Sequence, residues 1–207
     1  MSADATPLQS VATLPPEEAA RANFYGLLAR LFYAPPDAAL LAALAGAGEI
    51  VAEDESAGAA LALAWRDLML AAAAADPQAL VEEYETLFIG TGKAPVSLYA
   101  GSYLARSALD APLAEVRSLL AQRRLARRVT VNEPEDHFGA LCELMRHLIA
   151  EQQATLEEQN AVFERFLWPV AEPLCNAVAT ASRANFYRSV ASFANAFVEV
   201  EYAAFRM

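Results

Sequence analysis

Apolar residues recur three and four positions apart along most of this 207-residue chain, a spacing that places them on one face of an α-helix. Prolines and glycines divide this pattern into separate segments. Pro35 and Pro36, for example, end a first segment that carries Phe24, Leu28 and Leu31 on one face. The pattern predicts helices over residues 15–34, 37–45, 56–75, 77–88, 111–127, 137–151, 156–180 and 185–204.

Three segments lack a helical period. Residues 90–97 contain two glycines and a proline, and residues 132–136 surround Pro134, so we expect a loop in each place. Residues 1–14 mix proline, serine and acidic residues, and we expect a disordered leader segment there. The remainder, 15–207, is expected to form a single helical domain.

Composition agrees with the helical pattern. Hydrophobic residues make up 56% of the chain and charged residues 20%, which suits a filled core and excludes pervasive disorder. With only 8 glycines, we expect an all-α, single-domain bundle of roughly 8–11 helices. The alanine-rich stretch 57–75 is interrupted by Trp65, Arg66 and Asp67, which argues against a membrane span.

Charge and cysteine content narrow the function classes. A net charge of −11 repels nucleic-acid phosphates and attracts a basic partner, so we expect no nucleic-acid ligand. Cys142 and Cys175 lie in apolar helical segments and are expected to be small core residues. The start of the chain has no basic region followed by an apolar run, which predicts no export signal and a cytoplasmic location.

The residues of common catalytic and metal sites are not found together in this chain. There is no GxxxxGK[ST], GxSxG or HExxH motif. His137 and His147 are ten residues apart, which is about 15 Å along a helix and too far for one zinc ion. Glu143 and His147 are four apart, whereas di-iron bundles use a spacing of three on two helices. We therefore expect no catalytic residues, no metal, no cofactor and no enzymatic activity.

Two motifs and their order point to a known family. The sequence EYETLFIG stands at 83–90, followed by PVSLY at 95–99, and EPEDHF stands at 133–138 and continues to Glu143 and Leu148. In the last third, Phe163 and Trp168 precede the sequence NFY at 185–187. Together these segments resemble the signatures of the TorD/DmsD/NarJ family over roughly residues 17–205.

The resemblance implies a cytoplasmic, system-specific chaperone with the all-α TorD-like fold. Such proteins bind the twin-arginine signal peptide of a molybdopterin-containing oxidoreductase catalytic subunit, and prevent its export until the molybdenum cofactor is inserted. It also implies possible contact with molybdenum-cofactor biosynthesis or export machinery, and at most transient contact with a membrane. The client enzyme stays open, and so does the choice between a monomer and a domain-swapped dimer.

A receptor for two arginines followed by an apolar stretch needs carboxylates and an apolar groove. The resemblance, matched to the two motifs, implies a set of signal-peptide-binding residues: Tyr84, Leu87, Phe88, Pro95, Ser97, Tyr99, Glu133, Asp136 and His137.

Structural roles compete with binding roles in the first motif. Tyr84, Leu87 and Phe88 are spaced so that they share one helix face, and the same spacing is typical of core residues. For Leu87 a purely structural role stays open beside the binding role. Glu83 and Glu85 are expected to be exposed to solvent.

The second motif has alternatives of the same kind. Asp136 precedes a predicted helix and can serve as its N-cap, with or without facing a groove. His137 can line a groove or brace a loop through a hydrogen bond. Ser97 and Tyr99 are expected to fix the loop rather than touch a ligand.

Two other functions remain open at this stage. An assembly scaffold would bind the folded or apo enzyme subunit instead of its signal peptide. A nucleotide-binding switch is less favoured, because the chain contains no phosphate-binding loop.

Overall fold

The computed structural model describes residues 14–52, 57–90, 92, 94–104, 111–127 and 131–207. Within these ranges the chain forms helices and no β-strand. In chain order they are α1 (Pro16–Tyr33), α2 (Ala38–Ala45), α3 (Ala57–Ala74), α4 (Pro77–Tyr84), α5 (Gly101–Leu104), α6 (Pro112–Gln122), α7 (Phe138–Ala150), α8 (Leu156–Val162), α9 (Trp168–Thr180) and α10 (Phe186–Ala204), with π-helical turns at Glu85–Ile89 and Phe163–Leu167.

The predicted all-α class is confirmed, and most predicted helix boundaries lie within two residues of the observed ones. The leader segment expected over 1–14 lies, apart from Leu14, outside the described residues. The short helix α5 was not predicted. The helices predicted over 77–88 and 156–180 each contain a π-helical turn.

Helix α6 ends at Gln122, five residues before the predicted end. Arg124 adopts a left-handed conformation (φ 57°). The N–H of Leu125 then donates to the carbonyl of Leu120 (2.8 Å), and the N–H of Arg124 donates to that of Ala121 (3.0 Å). This is a Schellman ending, which glycine usually provides, so the sequence pattern contained no signal for it.

The core is formed where α1 packs along α7, and where α10 packs against α3 and α9. Gly139 allows the first of these contacts, since a Cβ there would lie 3.0 Å from the Tyr33 ring and 3.1 Å from the carbonyl oxygen of Ala29. Both cysteines are buried, as expected. The largest fully buried side chains are Tyr25, Tyr187, Phe32, Phe138, Phe163, Phe193, Phe197, Leu28, Leu31, Leu68, Leu87 and Leu141.

A buried ion pair joins the first and last helices. The guanidinium group of Arg21 donates to both carboxylate oxygens of Glu201, each at 2.7 Å. The hydroxyl of Tyr25 donates to the same carboxylate at 2.8 Å. Glu201 is only 1% exposed, so these bonds replace the water that its charge would otherwise require.

Glu83 links α4 to the start of α10, and the expectation that it is simply exposed to solvent is wrong. Its carboxylate accepts hydrogen bonds from the backbone N–H groups of Asn185 (2.8 Å), Phe186 (3.2 Å) and Tyr187 (2.9 Å). The first N–H groups of a helix have no partner within the helix, and a carboxylate there also interacts favourably with the helix dipole.

By length and composition alone, α3 could cross a membrane, with a mean hydropathy of 1.3 over 18 residues. Arg66 and Asp67 therefore do not exclude a span by themselves, contrary to the argument from sequence. A single helix of this kind is weak support for membrane insertion. In the structure α3 packs against α2 and α10.

Leu87 tests the contribution of the π-helical turn to stability. Its side chain is 1% exposed, so we expect Leu87→Ala to lower the free energy of unfolding by about 2–5 kcal/mol. The matched control is Ile89→Ala in the same turn, where the side chain is 58% exposed and the loss should be below about 1 kcal/mol. Urea denaturation measures both, and equal losses would contradict the placement of Leu87 in the core.

Candidate functional site

The two sequence motifs meet in space through their backbones. The N–H of Ala100 donates to the carbonyl of Asp136 (2.8 Å), and the N–H of Phe138 donates to that of Leu98 (2.7 Å). Tyr99 and His137 form an isolated antiparallel bridge between these bonds. The loop that follows α4 is therefore attached to the start of α7.

The first motif lies mostly in the core. Tyr84, Leu87 and Phe88 are buried. The hydroxyl of Tyr84 donates to the carbonyl of Phe32 (3.0 Å), and the Phe88 ring packs edge-on against Tyr187, with centroids 5.0 Å apart. The carbonyl of Leu87 accepts the N–H of Val96 (3.0 Å). These three residues thus anchor the start of the loop to the core.

His137 lies between two tyrosine rings. Tyr33 stacks on it with centroids 4.9 Å apart and an interplanar angle of 15°, and Tyr99 packs edge-on at 5.5 Å. Its Nδ1 accepts the N–H of Gly139 (3.1 Å), so His137 is the N-cap of α7. Of the two roles considered for His137, the bracing hydrogen bond is the one observed.

Asp136 is not the N-cap of α7, contrary to one of its two interpretations. Its buried carboxylate instead accepts the N–H of Gly101 (3.1 Å), at the first residue of α5. Asp136 therefore helps to attach α5 to the segment that precedes α7. The sequence contained no sign of this contact because α5 was not predicted.

Side chains also fix the loop, as expected for Ser97 and Tyr99. The hydroxyls of Ser97 and Ser102 are 2.6 Å apart, and the carbonyl of Ser97 accepts the hydroxyl of Tyr103 (2.8 Å). The hydroxyl of Tyr99 donates to Glu133 at 2.5 Å. Partial burial and the Glu133 carboxylate raise the pKa of Tyr99 to about 12, so this hydroxyl stays a donor at neutral pH. Pro95, by contrast, is exposed.

A groove of about 720 Å³ lies beside this cluster, between the end of α1, the start of α2, the end of α6 and α7. Its floor is apolar, and the Schellman ending of α6 contributes Leu120 and Leu125 to it. The lining side chains that carry charge at neutral pH are Arg30, Asp37, Arg127, Glu135, Glu143, Arg146 and Glu151.

Tyr33 connects the groove to the motif cluster, because it lines the groove and stacks on His137. Partial burial, together with the nearby carboxylates of Glu143 and Glu133, raises the pKa of Tyr33 to about 12. One of these carboxylates is on α7 and the other is in the segment that precedes α7.

Three acidic side chains along the groove have basic neighbours: Glu135, Glu143 and Glu151. Glu135 accepts a hydrogen bond from Arg117 (2.9 Å) and lies 3.5 Å from Arg127. Burial acts to raise the pKa of Glu135, but its own backbone N–H and these guanidinium groups outweigh burial and lower it. Glu143 and Glu151 share Arg146, at 2.7 and 2.9 Å, and Nδ1 of His147 also lies 2.9 Å from Glu151.

The nine site residues predicted from sequence are thus brought together, but none of them lines the groove. Tyr33, Leu120 and Leu125 were missed, since α1 and the end of α6 carry no family motif. Glu143 is part of the second motif and could have been found from its spacing, which places it on α7 beyond the Gly139 contact.

His137 allows a test of the site by pH. Burial lowers its pKa from 6.5 to about 4, although Glu133 and Asp136 act to raise it. The unfolded chain therefore takes up a proton before the folded protein, and the free energy of unfolding should fall by up to about 3 kcal/mol as pH decreases from 6.5 to 4.

The matched control for that experiment is His137→Asn. Asparagine is a favoured N-cap that can accept the Gly139 N–H, but it does not titrate. Urea denaturation at pH 7, 6 and 5 should show a smaller decline for this variant than for the wild type. Parallel declines would mean that His137 is not the group responsible.

Comparisons with known proteins agree with this architecture. The sequence model described as nitrate reductase delta subunit matches residues 54–176, which is more than half of the chain. No curated protein matches the chain significantly.

One solved structure with a similar fold is the crystal structure of a protein from Archaeoglobus fulgidus described as a redox enzyme maturation protein. It is 20% identical, has a TM-score of 0.51, and the match covers 93% of this chain and 98% of that one. At this identity the likeness concerns the fold alone. With the family match over residues 54–176, the chain belongs to the nitrate reductase delta subunit family, the TorD/DmsD/NarJ group of chaperones for redox-enzyme maturation.

Proposed function

We propose that this protein is a cytoplasmic chaperone that binds the twin-arginine signal peptide of a molybdenum-cofactor oxidoreductase. Binding keeps the catalytic subunit from premature export while its cofactor is inserted. The chaperone acts by binding alone and performs no chemical step. Its partner is the catalytic subunit that carries the signal peptide.

One observation carries the proposal: an apolar groove is lined by Tyr33 and Glu143, and Tyr33 stacks on His137 of the cluster that holds Glu133. A twin-arginine signal peptide has two basic residues followed by an apolar stretch. Carboxylates beside an apolar floor provide a partner for each part. Each arginine can form charge-assisted hydrogen bonds with a carboxylate, and the Tyr33 face suits a guanidinium group.

The residues predicted from sequence take two kinds of role in this proposal. Pro95 and Glu133 reach the surface of the cluster and are proposed to contact the peptide, whereas Ser97 and Tyr99 fix the loop beside them. The buried members hold that surface in place through the contacts described above: Tyr84, Leu87, Phe88, Asp136 and His137.

Charge and apolar area then affect different stages of binding. The net charge of −11 attracts a basic peptide and raises the rate of encounter, an effect that salt weakens. The apolar floor, with Leu120 and Leu125, lengthens the residence time because it buries the apolar side chains of the peptide. Reversible capture of this kind permits release once the client has folded.

The test is isothermal titration of the protein with signal peptides from molybdoenzymes of the source organism. We expect one peptide to bind with a dissociation constant in the micromolar range or below. The same peptide with both arginines changed to alanine should bind at least about tenfold more weakly. Equal affinities would contradict recognition of the arginines.

Variants of the protein test whether the carboxylates of Glu133 and Glu143 contact the arginines of the peptide. Glu133→Gln and Glu143→Gln should each weaken binding by about three- to tenfold, because each loses a charge-assisted contact in a partly exposed site. Glu172→Gln is the matched control, since Glu172 is exposed and does not line the groove. Double-mutant cycles with single arginine-to-alanine peptides show which arginine meets which carboxylate.

The rival function, a scaffold for the enzyme subunit, predicts a different result. A client subunit that lacks its signal peptide should then bind as well as the full subunit. Loss of binding on removal of the signal peptide supports the proposal, whereas unchanged binding contradicts it.

A further inference from the structure

Helix α3 has an apolar side that does not face the core. Its inner side packs on α2 and α10, but Leu63 is 52% exposed and Leu70 is 63% exposed. These leucines are seven residues apart and therefore share one face of the helix. Ala60 and Ala73 are exposed at the outer positions of the same face. The apolar part of this face therefore consists of two leucines with an alanine beyond each of them.

Two opposite charges lie at the middle of this face. Arg66 and Asp67 are exposed, and neither forms an ion pair with any residue in the part of the chain that the structure describes. Arg127 and Arg146 of the groove, by contrast, are each paired with a carboxylate. Arg66 and Asp67 are adjacent in sequence, so their side chains point in different directions around the helix and are available to a partner.

The leucines and alanines of the face are placed symmetrically about its centre, which lies between residues 66 and 67. Leu63 and Leu70 are equidistant from that point, as are Ala60 and Ala73. A two-fold axis through the centre would place Leu63 of one copy against Leu70 of the other, and Arg66 of one copy against Asp67 of the other. Because of the symmetry, each of these contacts occurs twice. The alanines allow two such helices to approach closely.

We propose that α3 is a self-association surface, on which a second copy of this protein pairs its own α3 in the antiparallel direction. The apolar contacts are between Leu63 and Leu70, and the two Arg66–Asp67 ion pairs set the register and the direction. This surface is separate from the groove, which is formed by α1, α2, α6 and α7.

The symmetric positions of Arg66 and Asp67 favour a second copy as the occupant, and the size of the face favours a weak complex. Eighteen residues of helix are about 27 Å long, and one helix pair buries less than the roughly 1,200–2,000 Å² of a stable interface. The dimer is therefore concentration-dependent, with a dissociation constant in the micromolar range. A bilayer surface fits less well, because anionic lipids repel a protein of charge −11 and offer no partner for Asp67.

The test is a charge exchange measured by sedimentation velocity over a protein concentration from about 1 to about 500 µM. Arg66→Asp places like charges opposite each other at both symmetric positions, and Asp67→Arg does the same with the opposite sign. Each single variant should raise the dissociation constant of the dimer by about tenfold. The double variant Arg66→Asp/Asp67→Arg restores complementary pairs and should return it to within about twofold of the wild type.

Circular dichroism shows whether the variants keep their helices, which is expected because both side chains are exposed. The variant Leu63→Gln/Leu70→Gln tests the same surface by removing its apolar contacts, and it should be monomeric. Signal-peptide affinity should not change in any of these variants, so failure of this proposal and failure of the proposed function are distinguishable.

Three results would overturn the proposal. The wild type could stay monomeric over the whole range, or a dimer could form that none of the charge variants affects, as a domain-swapped dimer would. Binding of monomeric wild type to phosphatidylglycerol vesicles, lost in Leu63→Gln/Leu70→Gln, would identify a bilayer as the occupant instead.

Discussion

The close approach of α1 and α7 is the constraint on which the rest of the site depends. Gly139 has no side chain, so the start of α7 can lie against Ala29 and Tyr33 near the end of α1. That approach places Tyr33 flat on the ring of His137, which caps α7. The groove then runs along the remaining space between the two helices and the end of α6. A larger residue at position 139 would push α7 away from α1, and would therefore disturb both the Tyr33–His137 stacking and the groove.

The shape of the candidate site depends more on hydrogen bonds between two loop segments than on the packing of helices. The segment after α4 is held by backbone bonds to the start of α7 and by Tyr99 to Glu133. Asp136 is directed away from the solvent, towards Gly101. The three acidic residues of the second motif therefore have different structural roles. Glu133 remains near the surface, Glu135 is held by two arginines, and Asp136 supports the fold.

The helical architecture could be predicted from sequence because apolar periodicity and proline positions depend on neighbouring residues alone. The family motifs likewise identified two segments that the structure brings together. Glu83 was misjudged because its partners, the first N–H groups of α10, lie about a hundred residues away. The residues that line the groove were not predicted for the same reason, since Tyr33, Leu125 and Glu143 come from three separate parts of the chain. The left-handed Arg124 that ends α6 has no local signal either.

The bond between Arg21 and Glu201 has a consequence for biosynthesis. Its two members are 180 residues apart, so at about 5–20 residues per second the ribosome needs roughly 10–40 s after adding Arg21 to add Glu201. Until then Arg21 has Glu18 of its own helix as an ion-pair partner (2.8 Å) but lacks the buried carboxylate that α10 supplies. Closure of the bundle by α10 is therefore a late event in translation, and a nascent chain acquires its buried charge pair only after the residues that line the groove have been synthesised.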